Sequence, residues 1–324
     1  MYYGYIDNID KGFNRRCILS FRMDRPKIKM PRKYGEMLVQ SLLFISAITS
    51  ILIMLLIFYF LIHESLPAFR DLGIPSLLFG MKWHPSGDIY GFLPLITASL
   101  TITLLALFIN IIIGFPLAIY LAELAGPKSK AFLKPAIELL AGVPSIVYGF
   151  LGVIILVSYL QDSFDMLTGR SILAGSILLG VMFIPYLTTI CEDALRAVPG
   201  EYKEGSLALG ANRWQTMRNV TIPAASSGIT AAVLLNIGSI IGETMAVLLV
   251  VGNVARLASP PYDIFDQGAT FTSVIAGEMG EVARGSMHYH VLFAVGFVLL
   301  IVVSILSLVA DYARARIRRK FGGY

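Results

Sequence analysis

Residues 39–62 read VQSLLFISAITSILIMLLIFYFLI, twenty-four positions without a charged side chain. As a helix rising ~1.5 Å per residue, such a run exceeds the roughly 30 Å of hydrocarbon in a bilayer. Backbone groups in lipid must be bonded within the segment, so an unbroken apolar run reads as a helix; barrel strands would alternate in short segments. Working outward, five more runs of this kind fall at about 92–121, 137–160, 171–190, 229–251 and 291–310. The first of these is longer than a bilayer requires, so it is expected to tilt or project. The expected fold is an all-α integral membrane protein with six transmembrane helices between residues 39 and 312. The composition agrees: 56% hydrophobic and 15% charged, with a mean hydropathy of +0.74, against about 25% charged residues in a soluble domain.

The loops set the expected orientation, because Lys and Arg accumulate on the cytoplasmic side. The 1–38 arm holds nine, the 122–136 loop three, the 191–228 loop four and the 313–324 tail five. The intervening loops 63–91, 161–170 and 252–290 hold two, one and two. A division of 21 against 5 places both termini and the 191–228 loop in the cytoplasm. The pI of about 9.1 expresses this bias and not nucleic-acid binding. The arm lacks the early apolar core and small-residue cleavage site of a signal peptide. It reads as a basic tail beside anionic lipid, with Met23 and Met30 as alternative starts. Loops 63–91 and 252–290, rich in Gly, Pro, Ser and aromatics, are expected to form short outer elements that dock a partner.

Little in the chain suggests chemistry. Cys17 and Cys191 indicate no disulfide framework, and the His288-x-His290 pair lacks the further ligands of a metal site. No metal and no cofactor are expected. No paired carboxylates or nucleophile–base set converges on one face, which argues against an enzyme. No internal repeat of the kind common in secondary transporters is evident. Gly-Lys occurs nowhere in the sequence, so the chain has no nucleotide-binding loop of the Gly-x4-Gly-Lys-Ser/Thr kind.

The 191–228 loop contains EYKEGSLALGANRWQTMRNVTIP at 201–223. Glu204 opens a short helical stretch with Gly205, Ser206, Leu207 and Ala208, and Gly210 can take the left-handed conformation that ends a helix. Placed at the start of that helix, Glu204 would suit the positive end of its dipole. Nine residues separate Gly210 from Val220-x-Ile222-Pro223, and Pro223 sets the approach to the next span. This pattern resembles the Glu-Ala-Ala-x3-Gly-x9-Ile-x-Leu-Pro loop of ABC-type importer permeases, with small Gly205 and Ser206 replacing the two alanines. The resemblance implies a type I ABC importer permease. In that family the short helix seats on an ATP-binding cassette ATPase dimer and conveys its closure.

The fifth span sharpens the resemblance. Ile241-Gly242-Glu243-Thr244-Met245-Ala246-Val247, ending in Gly252-Asn253, resembles PstC-type permeases of phosphate importers. Leu140-Ala141-Gly142-Val143-Pro144-Ser145-Ile146-Val147-Tyr148-Gly149 fits the same family, as do Glu64-Ser65-Leu66-Pro67-Ala68 and Gly285-Ser286-Met287-His288-Tyr289. The likeness covers nearly all of residues 40–312. It implies phosphate as substrate, a sister permease and an extracytoplasmic phosphate-binding protein. Readings still open are another oxyanion (molybdate, sulfate or phosphonate) and the sister PstA-type phosphate subunit. One departure bears on the substrate: the family arginine four residues before the glutamate is Ser239 here, so either a partner subunit supplies the charge or the substrate is another oxyanion.

Glu243 and Glu138 are the ionisable residues placed within or at the edge of spans, where a carboxylate is costly and faces a cavity or a partner. At about 100° per residue, Asn236, Ser239 and Glu243 share one face of a continuous helix, expected to line the translocation pathway with Thr244. Gly238 and Gly242 lie opposite, where small residues permit close packing. A bare carboxylate would repel phosphate, so Glu243 is expected to be protonated or paired with a basic group of the partner subunit; a purely structural acid holding helices together is the other reading. Pro144 is expected to kink the third span, with Tyr148 one turn on, and Glu138 to cap that span's start or contact a neighbouring helix rather than touch substrate.

Overall fold

The computed structural model describes residues 32–258, 260 and 263–320. The arm up to residue 31, with Cys17, lies outside the described residues. The first helix, α1, runs Arg32–Leu72. Over residues 36–57 its apolar side chains are exposed all round, Leu43 and Phe44 among them, as befits a helix whose solvent is lipid. From Tyr59 the chain forms a second unit. In it, α2 (Ile74–Phe79) precedes a two-residue hairpin, β1 (Trp83–His84) and β2 (Ile89–Tyr90), antiparallel with Trp83 opposite Tyr90. The first long helix of this unit is α3 (Leu93–Leu124), followed by α4 (Pro127–Ala141), α5 (Ser145–Ser163) and α6 (Ile172–Arg196).

The 197–225 segment carries α7 (Gly200–Ala208) and α8 (Arg213–Ala224), which meets α9 (Ser226–Gly242) at a 66° bend. After a break come α10 (Met245–Val250), α11 (Phe271–Glu278) and α12 (Met287–Lys320). Among the described residues, five helices are long and apolar enough to cross a membrane, and the bent α8–α9 pair makes a sixth. The six-helix expectation therefore stands, with one span broken. The backbone of α12 stays helical through most of the segment read as a C-terminal tail.

Three boundaries differ from the sequence reading. The third span starts at Ser145, not near 137, because the chain leaves the helix at Gly142–Pro144. The residue before a proline is pushed out of the α region, so Pro144 (φ −57°, ψ 137°) begins α5 and does not kink a helix already running. Glu138 consequently sits on the separate helix α4, exposed, and not at the edge of a span. The fourth span extends to Arg196, so Cys191 and Glu192, read as loop, are buried in α6. The fifth span is interrupted at Glu243–Thr244.

The core lies where α3, α5, α6, α9 and α10 meet, built from Ile102, Ala106, Leu178, Leu179, Ile240, Val247 and Val250. Between helices in lipid there is no hydrophobic drive, so close van der Waals approach does the holding. Small residues permit it: a Cβ on Gly180 would lie 2.9 Å from Ile109, and one on Gly175 would lie 2.5 Å from Cγ2 of Val251. A second apolar cluster, including Ala68, Leu77, Phe92, Leu95, Phe271, Leu292 and Val295, gathers the end of α1, α2, α3, α11 and α12.

A polar junction crosses this core. Asn236 Nδ2 on α9 donates to Asn110 Oδ1 on α3 (3.1 Å), and Asn110 Nδ2 donates to the Gly180 carbonyl on α6 (3.2 Å). Both side chains are fully buried. Asn110→Ala strands the Asn236 amide in apolar surroundings. Interhelical bonds of this kind in membranes contribute about 1 kcal/mol, and a loss of that size is expected when the purified permease is unfolded by detergent titration.

The two loops expected to form outer elements are tied to each other. Trp83 Nε1 donates to Glu278 Oε1 (3.0 Å), and Glu278 Oε2 meets His288 Nε2 at 2.7 Å. His290 Nδ1 lies 2.8 Å from the Glu64 carbonyl. The two imidazoles of the His-x-His pair thus turn to separate partners. Burial, then the bond to Asp88 (3.2 Å), pushes the Tyr90 phenol up to about 12.

Candidate coupling surface and translocation site

The α7 helix begins at Gly200 after Pro199, so Glu201 stands in its first turn and Glu204 near its middle. The dipole argument made for Glu204 therefore belongs to Glu201. A Pro-Gly pair is a strong break signal and could have set this boundary from sequence. At the other end the expectation for Gly210 holds. Its φ is +89°, its N–H bonds the Leu207 carbonyl (3.0 Å), and the Ala211 N–H bonds the Ser206 carbonyl (3.2 Å). That pair of bonds is the Schellman closure, which needs a left-handed residue after the helix. A capping box follows at once: Asn212 and Gln215 exchange side-chain and backbone bonds at 2.8 Å and start α8.

The helix has two faces. Tyr202, Lys203 and Ser206 turn inward: Tyr202 packs with Leu195, Val198 and Ala225, Lys203 Nζ lies 2.6 Å from Glu123 Oε1 at the end of α3, and Ser206 Oγ shares a hydrogen bond with Thr216 (3.0 Å). Glu201, Glu204, Gly205, Leu207 and Ala208 are exposed. Beyond them stand Leu209, 91% exposed, and Trp214, 63% exposed. A Cβ on Gly205 would meet nothing within 4 Å. Leu207, Leu209 and Trp214 are thus apolar side chains displayed in an otherwise polar loop. The sequence reading missed Leu209 and Trp214 because their types alone do not reveal which way they point. Pro223 is half-buried inside α8, ahead of the bend into α9.

Behind α7, the end of α6 carries a buried carboxylate. Glu192 is 1% exposed, with Arg196 Nη2 2.6 Å from one oxygen and Lys134 Nζ of α4 3.6 Å from the other. The Arg196 contact is close in distance, yet Oε1 receives no well-directed hydrogen bond, so charge and not directionality holds this pair.

The polar stripe expected on the fifth span does not form as one face. Asn236 points into the chain's own core and not toward an open path, because Asn110 waits there as its partner. Ser239 is half-exposed and its hydroxyl returns to the Leu235 carbonyl (3.0 Å). Glu243 lies past the end of α9 in extended conformation (φ −67°, ψ 129°). Its carboxylate accepts from the Ala246 N–H (3.2 Å), and its carbonyl accepts from the Thr272 hydroxyl of α11 (2.8 Å). Thr244 returns its hydroxyl to the Gly242 carbonyl (3.2 Å). Both glutamate contacts support the break, one from three residues on and one from α11. Among the described residues, a Cβ built on Gly238 or Gly242 meets no atom within 4 Å.

The α10 helix runs beside α5. A Cβ on Gly149 would lie 3.1 Å from Ala246 Cα, and one on Gly152 would lie 3.0 Å from Val250 Cγ1. The pairings rise together, so the helices, each starting after a break (Gly142–Pro144 and Glu243–Thr244), point the same way. Tyr148 closes part of the first break by donating its hydroxyl to the Leu140 carbonyl (2.9 Å). Non-helical backbone within a membrane is tolerated only against protein or water.

Residues 114–322, which include α7 and both breaks, match the family described as binding-protein-dependent transport system inner membrane component. The chain belongs to that family. This permease is 36% identical over 303 residues to a probable ABC transporter permease, YqgH, of Bacillus subtilis, covering 92% of this chain and 95% of the relative. It is 32% identical to the phosphate transport system permease protein PstC of Xylella fastidiosa strain 9a5c, over 76% of this chain and 81% of that one. It is 33% identical to PstC 1 of Mycobacterium bovis, over 73% and 75%. In fold it matches a bacterial ABC transporter that imports the acidic polysaccharide alginate (TM-score 0.56, 18% identity, 88% of this chain and 99% of that one). It also matches the MetNI methionine ABC transporter (TM-score 0.53, 20% identity, 68% and 93%). The permease is thus an integral-membrane transport subunit with the ABC importer fold, and not an enzyme.

Proposed function

We propose that this permease forms the phosphate pathway of an ATP-driven importer, together with a sister permease, an ATP-binding cassette ATPase dimer and an extracytoplasmic phosphate-binding protein. The observation that carries the reading is the exposed face of α7, with Leu207, Leu209 and Trp214 displayed and room at Gly205 for a partner. The Lys and Arg distribution supports a cytoplasmic place for α7 and both termini. The PstC names of relatives at 32–33% identity support phosphate. In this mechanism the ATPase seats on Glu204, Gly205, Leu207, Ala208 and Gly210, while Ser206, expected to join them, turns inward onto Thr216. Its closure moves α7 and, through α8 and Pro223, the bend into α9. The two breaks, with Glu243 and Thr244 at the second and Ser239 one turn before it in α9, face the pathway, and Gly238 and Gly242 meet the sister permease.

With Ser239 in place of the family arginine, the cation that offsets phosphate and balances Glu243 comes from a partner subunit. The same residue is the one feature that favours a different oxyanion. Uptake of radiolabelled phosphate into vesicles holding the assembled transporter, challenged with molybdate, sulfate and a phosphonate, separates the two: phosphate alone should compete. Glu243→Gln keeps an oxygen for the Ala246 N–H but not the charge. A fall in uptake of about tenfold, ~1.4 kcal/mol in barrier, is expected with normal assembly. Wild-type uptake in that variant would remove Glu243 from the mechanism.

A further inference from the structure

The α7 helix has nine residues, and an isolated helix of that length is marginal in water. It lies between Pro199 and the left-handed Gly210, two positions at which the chain changes direction. What α7 transmits therefore depends on what grips its inner face. Tyr202 packs with Leu195, Val198 and Ala225, and the Ser206–Thr216 bond reaches the adjoining α8. Lys203 gives a directed link to a different span: its Nζ meets Glu123 Oε1 at 2.6 Å, eighty residues back along the chain.

Both side chains are largely sheltered, Lys203 26% and Glu123 19% exposed, so water and salt screen the pair less than a surface pair. Glu123 lies in a π-helical turn, Tyr120–Leu124, that closes α3. Such turns interrupt the α register and recur at functional positions. The helix so gripped is the one that carries Asn110, bonded to Asn236 of α9 and to Gly180 of α6. A displacement of α7 passed to α3 thus arrives at the junction of three spans, one of which ends at the Glu243 break.

We propose that the Lys203–Glu123 ion pair is a positioning element that makes α7 and the inner end of α3 move as one body, so that ATPase closure reaches the spans through α3 as well as through α8 and α9. This rests on the coupling role given to α7 above. The consequence is tight coupling: with the link cut, α7 follows the ATPase while α3 lags, and ATP is hydrolysed without transport.

The test uses the assembled transporter in proteoliposomes and reads phosphate uptake and ATP hydrolysis together. Lys203→Gln and Glu123→Gln should each raise the ATP spent per phosphate by about tenfold, within the usual range of coupling energies. The swap Lys203→Glu with Glu123→Lys should return the ratio toward wild type. In a second arm, Lys203→Cys with Glu123→Cys, in a background of Cys17→Ser and Cys191→Ala, is joined by a short thiol cross-linker. If the two sites travel together, the joined transporter keeps its cycle and its binding-protein-stimulated hydrolysis. Wild-type ratios in both single variants, no recovery in the swap, or arrest on cross-linking would overturn the proposal. A wild-type transporter that takes up no phosphate would sink the substrate reading instead. The cross-link arm, read by ATP hydrolysis alone, still decides the tether.

Discussion

A tryptophan at Gly205 is expected to leave the permease folded, inserted and as stable as wild type, and to abolish ATP-driven uptake. Among the described residues a Cβ at this position meets no atom within 4 Å, and the neighbouring Glu204, Leu207 and Ala208 are exposed. The larger side chain therefore projects from the outward face of α7 without strain, apart from the usual small gain of replacing a helical glycine. The cost falls on the complex. A bulky group at the centre of a close-packed interface opposes seating by about 2 kcal/mol or more, a loss of affinity of ~30-fold or greater. The contrast is measured by co-purification of the ATPase with Gly205→Trp, alongside thermal unfolding of the permease alone. Leu209→Ala and Trp214→Ala, which remove exposed apolar anchors, should weaken assembly in the same direction. An unfolded Gly205→Trp permease would mean that α7 is not an open face, and normal assembly would mean that the ATPase seats elsewhere.

The second large effect is expected at the C-terminal end of α6. Glu192 is buried and held by charge to Arg196 and, more distantly, to Lys134 on α4. The two cations are each about a third exposed and can reach water if the carboxylate is lost. Glu192 has no such route. Lys134→Ala combined with Arg196→Ala leaves a buried charge without a counter-ion, a change that costs about 3 kcal/mol or more. Glu192→Gln, which frees the cations toward solvent, should cost about 1 kcal/mol. The order of the two losses, read by unfolding of the purified permease in detergent, distinguishes a desolvated anion from an ordinary surface cluster. A larger loss in Glu192→Gln would reverse this account.

Much of this was legible in the sequence, and the places where it was not share a physical cause. The six apolar runs, the spacing from Glu204 to Pro223 and the left-handed closure at Gly210 are local properties, readable from a short window. Helix starts were less legible. Pro144 was read as a kink although it begins α5, and Glu204 as an N-terminal residue although Pro199 and Gly200 begin α7 four positions earlier. The break in the fifth span carries no proline. It is held open by the Thr272 hydroxyl on the Glu243 carbonyl and by the Glu243 carboxylate on the Ala246 N–H, and only the second of these is local. Helical periodicity assigned Asn236 to the same face as Glu243, yet it cannot show that Asn110, 126 residues earlier, draws that amide into the core.

By itself, then, the sequence determined that the chain lives in a membrane, that it carries up to six segments able to cross it, and that a short helix with small residues precedes the broken span. Those follow from transfer free energies and turn chemistry, which each segment carries with it. The tertiary structure alone decided which polar groups turn inward: Asn236 onto Asn110, Lys203 onto Glu123, and Glu192 between Arg196 and Lys134. A buried polar group in a low-dielectric interior must find its partner through space, and the nearest one need not be near along the chain.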